Sequence, residues 1–305
     1  MQGEQLVAKV LSKCDTYRKS RLWLPPPEVR PSAWINNFTG PDREVAAILL
    51  DHFVYYSDLA TNALLRSTYR AIVDEIRLAT PASPLFGAGD LEDTAVFTRV
   101  EDEKPNPTDS GNIFCRKARF VLGIPQELIL EPKDALAAAV SGKNVVFLDD
   151  FVGSGNQMRE TWRRKYAAKQ PTSFAELARS RRFHAVYLNL VATRYGVNSL
   201  QFDCPELIIR SAHVLGDEYC VRNLANLPAN RSFPALADRI HVLLARCAPG
   251  LQLKAHMRQA DFALYGWHSL GLLLAFEHGV PDATIPLIWA EGPSGWTPLA
   301  RRPTA

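Results

Sequence analysis

The stretch VVFLDDFVGSGNQMRETW, residues 145–162, passes from an unbroken apolar segment through two adjacent acids and a glycine turn into a helical pattern. Val145 to Leu148 has the character of a strand buried on both faces, as in a parallel sheet covered by helices. Open parallel sheets bind ligands beyond the carboxyl ends of their strands, and Asp149 and Asp150 fall where this strand is expected to end. Gly153-Ser154-Gly155 lets the backbone approach a ligand closely. The helix expected from about Gly155 presents unpaired N–H groups and the positive end of its dipole, which together suit a phosphate. Carboxylates beside a phosphate cradle fit a sugar phosphate. The loop Gly153, Ser154, Gly155, Asn156 and Gln157 would hold the phosphate. Asp149 and Asp150 would accept hydrogen bonds from the sugar diol and favour cationic character at the ring carbon. The same carboxylates suit a divalent ion, a hard cation that prefers oxygen ligands.

Other motifs fit the letters less well. A dinucleotide fingerprint G-x-G-x-x-G would need glycine where Met158 stands, and its acid follows the loop instead of preceding it. The nearest approach to G-x-x-x-x-G-K-[ST] is Gly142-Lys143, with Asn144 after it and Ala137 in the place of the first glycine. No G-x-S-x-G elbow occurs. A purely structural account also exists. Ser154 to Gln157 spells the capping box S-x-x-Q, and Met158, Trp162 and Tyr166 give the helix an apolar stripe for the core.

Outward from this stretch, the chain alternates strands with helices. Strands are expected at Thr94–Val100, Glu127–Leu130, Asn144–Asp150, Phe183–Thr193 and Glu206–Ser211. Helices are expected at Asn112–Leu122, at Pro132–Val140 and from Gly155 onward. That order argues for a doubly wound, mainly parallel α/β sheet covered on both faces. Before it, Arg43 to Ala79 carries the spacing of two helices (Leu64, Leu65, Ile72, Val73, Ile76), with Ser57 as a plausible N-cap between them. The first forty residues read as irregular, because WLPPPEVRPSAW (23–34) forbids helix over most of its span. After the sheet come a helix near Phe233–Cys247, an apolar run at Gly271–Phe276 and ATIPLIW at 283–289. The division expected is an N-terminal helical lobe over 1–92, the α/β core over 93–250 and a C-terminal cap over 251–305.

Composition excludes little. A net charge of +3 implies neither nucleic acid nor membrane by itself. The apolar run Leu270–Phe276 falls far short of the ~18 residues of a membrane span. Five scattered cysteines (Cys14, Cys115, Cys204, Cys220, Cys247) show no metal spacing and suit a reducing compartment, so a cytoplasmic protein is expected. Between Arg159 and Arg182 eight Lys/Arg stand against Glu160 and Glu176. With Trp162 and Tyr166 interleaved, this run is either the wet side of a helix pair or a contact for nucleic acid or an acidic protein.

The stretch at 145–157 resembles the phosphoribosyl-diphosphate (PRPP) motif of type I phosphoribosyltransferases: apolar strand, two acids, two apolar residues, a small residue, then Thr/Ser-Gly-x-Thr. Asn156 and Gln157 depart from that pattern. LDDFVGSGNQ is closer to a divergent phosphoribosyltransferase-like branch of bacterial conflict (anti-phage) loci. The likeness extends to LLDHFVYYS (49–57), to DSG with the downstream RKAR (109–119), and to AFEHGVPDATIPLIW with GWTPLARR (275–302). The resemblance implies that Asp149 and Asp150 contact the ribose hydroxyls and that Gly153 to Gln157 hold the 5′-phosphate. It further implies that Asp109, Ser110 and Gly111, with the cations Arg116, Lys117 and Arg119, meet the pyrophosphate. Mg²⁺ is the implied cofactor, with Asp149 and Asp150 as its candidate ligands, and Glu277, His278, Trp289 and Trp296 are candidates for an acceptor pocket. The activity implied is transfer of ribose 5-phosphate to or from a nitrogen acceptor. The alternative is an inactive nucleotide-sensing or assembly subunit with a protein or nucleic-acid partner from the same locus. A homo-oligomer is compatible with either, and no membrane partner is expected.

Overall fold

The computed structural model describes residues 2–78, 91–101, 110–166, 172–180 and 183–302. The chain divides into two compact units, residues 1–60 with 216–305, and residues 61–215. These boundaries differ from the expected 92/93 and 250/251, because the N-terminal lobe and the C-terminal cap share one core. Val7, Val10 and Cys14 belong to the same apolar cluster as Ile48, Leu244, Ile288 and Leu299.

In the first unit, β1 (Val54–Tyr56) pairs in parallel with a strand far along the chain, Leu274–Phe276. The ring of Tyr56 stacks on that of Phe276 at 5.1 Å. The N-terminal segment departs from its expected irregularity: Gln2–Lys19 is a helix. Val7, Val10, Leu11, Cys14 and Tyr17 recur at helical spacing, and all five sit in or against the core. The prolines at 25–27 lie beyond the end of this helix and restrict only their own neighbours. Two helices, Pro41–Asp51 and Asp58–Leu78, match expectation, and Ser57 Oγ accepts the Ala60 N–H at 3.3 Å, the geometry of an N-cap.

The second unit carries the four-stranded sheet. β2 (Ala95–Arg99), β3 (Asn144–Val152), β4 (Ala185–Thr193) and β5 (Leu207–Leu215) stand side by side in chain order, every pair parallel. The strand paired with β1 is β6. Each crossover carries helix among its described residues, as suits parallel neighbours. Alternation sends Val145 and Phe147 of β3 and Ala185 and Tyr187 of β4 into one apolar cluster. Ala135 and Leu136 of the helix Pro132–Val140, Met158 and Trp162 of the helix Asn156–Arg163, Phe174, and Leu200 join it. On the other face Phe97 of β2 meets Tyr69 of the helix Asp58–Leu78 at 6.2 Å, and Glu75 of that helix pairs with Arg210 of β5. Helices therefore cover both faces, as the sequence pattern indicated. Glu127–Leu130 does not form the expected strand: Gln126–Leu128 is a 3-10 turn, and only Ile129 bridges to Phe97. Pro125 shapes the turn, and four residues are too few to outweigh it. The helix expected over 112–122 is α-helical only over Ser110–Lys117 and continues as a π turn, Ala118–Leu122, ended by left-handed Gly123. Among the described residues, no helix is long and apolar enough to cross a membrane.

Two measurements test this packing. Trp162 is fully buried between Phe147 (6.1 Å) and Phe174 (6.2 Å, stacked). Trp162→Ala should cost about 3–5 kcal/mol in denaturant unfolding. Burial also pushes the thiols of Cys14 to about 12 and of Cys115 and Cys204 to about 11. The thiolate is the reactive form, so these three should resist a thiol reagent at pH 8 in the folded protein and react promptly in denaturant.

Candidate functional site

The strand–loop–helix at 144–163 lies at the carboxyl edge of the sheet, with β3 flanked by β2 and β4. β3 runs on through Val152, so the two acids sit inside the strand and not at its end. Their side chains have the environment of a core: Asp149 is 3% exposed and Asp150 8%. Asp149 Oδ1 accepts the Asp150 N–H at 2.9 Å, and Oδ2 accepts the hydroxyl of Tyr187 at 2.6 Å. Burial, then the neighbouring charge of Asp150, holds the Asp149 carboxyl well above its ordinary 3.8, since both effects favour the neutral form. The Tyr187 hydroxyl is likewise pushed well above its ordinary value, by burial and by Asp149. Beside Asp149 in register stands Asn189 of β4, fully buried, with neither amide atom hydrogen-bonded among the described residues.

The loop follows the sequence reading in position but not in its capping. Gly155, with φ of +81°, occupies the N-cap, and the helix starts at Asn156. Ser154 is buried and its Oγ receives the Asn156 N–H at 3.5 Å, so the S-x-x-Q capping box does not form. A Cβ on Gly155 would stand 2.7 Å from Leu200 Cγ. The loop is braced from the helix Arg194–Asp203: Thr193 Oγ1 donates to the Gly153 carbonyl at 2.5 Å and accepts the Gly196 N–H at 2.9 Å. A Cβ on Gly196 would sit 2.4 Å from that same carbonyl. Sequence reasoning missed Tyr187, Thr193 and Gly196, because their roles exist only once β4 lies beside β3. Asn156 turns back to accept from Arg159 at 2.8 Å, while Gln157 is exposed.

The other sequence candidates lie on other elements, each with its own surroundings. Asp109 lies outside the described residues; Ser110 opens the helix Ser110–Lys117. Gly111 is buried, and a Cβ there would meet Arg99 Cβ and the Val100 carbonyl at 2.8 Å, so glycine lets this helix approach β2. Lys117 turns inward, donating to Asn62 Oδ1 at 2.6 Å, whereas Arg116 and Arg119 are exposed. In the other unit, Glu277 accepts the Asp58 N–H at 2.7 Å, His278 stacks on Phe276, and Arg302 lies over the Trp289 ring at 4.5 Å. Trp296 Nε1 donates to the Ala290 carbonyl at 3.2 Å. The basic run does not form a stacking surface over its described part. Arg159 and Arg163 pair with Asp203, Arg164 with Glu101, and Lys165 with Glu176, while Trp162 points into the core and the Tyr166 hydroxyl bonds Glu101. Lys169, Arg181 and Arg182 lie outside the described residues. Among the described residues no three His, Cys, Asp or Glu side chains gather as a metal site.

On this parallel sheet the buried acid pair inside β3, the left-handed Gly155 and the helix start at Asn156 follow one another. The family model PRTase-CE matches residues 31–302, and the chain belongs to that family. Among solved structures, the AQ2163 protein of Aquifex aeolicus aligns over 60% of this chain and 82% of its own, at 14% identity and a TM-score of 0.32. Orotate phosphoribosyltransferase of Aeropyrum pernix aligns over 48% and 71%, at 18% identity and a TM-score of 0.24. No curated protein matches.

The tightness of the loop yields a prediction. Gly155→Ala combines a left-handed backbone with the contact at Leu200 and should cost about 1–3 kcal/mol of stability. Gly196→Ala should be at least as costly, because the obstructing atom is backbone. Thermal or denaturant unfolding of both variants checks the order.

Proposed function

We propose that the chain binds PRPP at the strand–loop–helix of residues 144–163 and transfers ribose 5-phosphate to or from a nitrogen acceptor. The observation that carries this reading is the coincidence of Asp149-Asp150 with the left-handed Gly155 at a helix start on one strand of a parallel sheet. The loop amides from Gly153 to Gln157 and the helix dipole would hold the 5′-phosphate. Asp150, the less buried acid, would accept from the ribose hydroxyls. Asp149, with both oxygens engaged by Asp150 N–H and Tyr187, would fix Asp150 in place.

The acid pair fits Mg²⁺ in a limited way. Mg²⁺ takes one or two carboxylates and fills its shell with water and substrate phosphate; Asp150 would be the protein ligand, and Asp149 would join it only by giving up the Tyr187 hydroxyl. When bound, the ion supplies positive charge against the pyrophosphate oxygens. In the transfer, the C1–O bond breaks with its electron pair leaving on pyrophosphate, and the ring oxygen shares the resulting positive charge at C1. The acceptor nitrogen donates its lone pair to C1, then gives up a proton. The carboxylate of Asp150 would stabilise the cationic stage by proximity. The segment from Asp109 to Gly111, with Arg116, Lys117 and Arg119, would meet the pyrophosphate, and Glu277, His278, Trp289 and Trp296 are the candidates for contact with the acceptor. The setting we propose is cytoplasmic, on the scattered cysteines, and within an anti-phage locus, on the strength of the sequence resemblance.

Calorimetric titration with PRPP and Mg²⁺ tests the reading. Wild type should bind, Asp150→Asn should weaken binding by about tenfold or more (~1.4 kcal/mol), and Asp149→Asn/Asp150→Asn should abolish it. Absence of wild-type binding, or equal binding by the double variant, contradicts the proposal.

A further inference from the structure

Asn189 stands in the middle of β4, fully buried, and neither its Oδ1 nor its Nδ2 has a hydrogen-bond partner among the described residues. Buried side-chain amides normally find one, and an exception calls for a reason. Two other buried asparagines obey the rule. Asn144 Oδ1 accepts the His184 N–H at 2.9 Å, and Asn230 Nδ2 donates to the Leu224 carbonyl at 2.8 Å. An idle amide in a core has given up its hydration with nothing in return, so the chain carries a standing penalty at Asn189.

Its surroundings identify the partner it lacks. β4 pairs Asn189 with Asp149 on one side and with Ser211 on the other, and neighbouring strands run ~4.8 Å apart. Side chains two residues apart share a face of the sheet, so Tyr187, Asn189 and Asp149 lie together on the face that carries Val145 and Phe147. There the Tyr187 hydroxyl donates to Asp149 Oδ2 at 2.6 Å, while Oδ1 takes the Asp150 N–H. Asp149 can therefore join a cation only if the Tyr187 hydroxyl moves. Tyr187 is 1% exposed, and a hydroxyl left without an acceptor at that depth is costly. Asn189 Oδ1 is an idle acceptor beside it. Ser211 Oγ is idle too, but it lies on the side of β4 away from Asp149.

We propose that Asn189 is a positioning residue for the acid pair: as Asp149 turns from the Tyr187 hydroxyl to a divalent cation held by Asp150, Asn189 Oδ1 accepts that hydroxyl. One buried hydrogen bond breaks and one forms, so Asp149 is released without orphaning Tyr187. Asn189 itself touches neither cation nor sugar phosphate. The inference rests on the sugar-phosphate reading, because it needs a cation at Asp150.

The side-chain amide resonances of Asn189 in a ¹⁵N-labelled sample, assigned by their absence from Asn189→Leu, report the exchange. Addition of Mg²⁺ to the chain with PRPP should shift them saturably, in step with the binding read by calorimetry. In Tyr187→Phe, which has no hydroxyl to hand over, that shift should collapse. Asn189→Leu replaces the idle amide by an apolar side chain of similar shape, so its unfolding midpoint should equal or exceed that of wild type. Its PRPP affinity in Mg²⁺ should nevertheless fall about tenfold. In the Tyr187→Phe background the same substitution should change that affinity by less than about twofold. No PRPP binding by wild type overturns this inference together with the sugar-phosphate reading. Binding with the Asn189 resonances unmoved, a full shift persisting in Tyr187→Phe, an undiminished effect of Asn189→Leu in that background, or an Asn189→Leu midpoint well below wild type overturns the inference alone.

Discussion

The hydrogen bond from the Tyr187 hydroxyl to Asp149 Oδ2 joins the two central strands at the point where the chain departs from a plain hydrophobic sheet. A carboxyl group this deeply buried is tolerable only with donors on both oxygens or in its neutral form. Tyr187 and the Asp150 amide supply the donors, and the same burial favours the neutral form. With Asp149 secured in this way, the chain can place Asp150 and then the glycine turn at the sheet's carboxyl edge. Thr193 Oγ1, itself held by the Gly196 N–H, performs the same service for the loop by donating to the Gly153 carbonyl. Both supports come from β4 and the helix after it. The site is therefore a property of two adjacent strands and not of the motif alone.

How far the sequence disclosed this arrangement depends on the range of the interactions. β3, β4 and the helix Pro132–Val140 were legible, since an unbroken apolar run and a proline-started helix are local signals. The N-cap of Ser57 was equally local. The helix Gln2–Lys19 was missed because the nearby prolines dominated a stretch whose own periodicity was helical. The Ser154 capping box failed because the left-handed Gly155 takes the N-cap, and Leu200, 45 residues on, leaves no room for a side chain there. Tyr187 and Thr193 read as ordinary strand residues, and nothing local marks either as a support for an acid or a loop. The basic run misled in the opposite direction. Its charges suggested an open surface, while Asp203 and Glu101, distant in sequence, neutralise much of its described part.

The two units bear on function in different ways. The sheet unit, residues 61–215, contains the whole strand–loop–helix. The other unit is assembled from both ends of the chain through the parallel pairing of β1 with β6, a connection no local pattern predicts. The family match from 31 to 302 spans both. The matched region thus takes in residues 31–60 and 216–302 of the first unit as well as the sheet unit.

The central claim is that the amides from Gly153 to Gln157 form an anion cradle on the sugar-phosphate side of the acid pair. Amide chemical shifts in a ¹⁵N-labelled sample titrated with ribose 5-phosphate test it most directly, residue by residue. The account predicts saturable, concerted shifts of Gly153, Ser154, Gly155, Asn156 and Gln157. Saturable shifts elsewhere with these five amides unmoved, or no shifts at all, would contradict it.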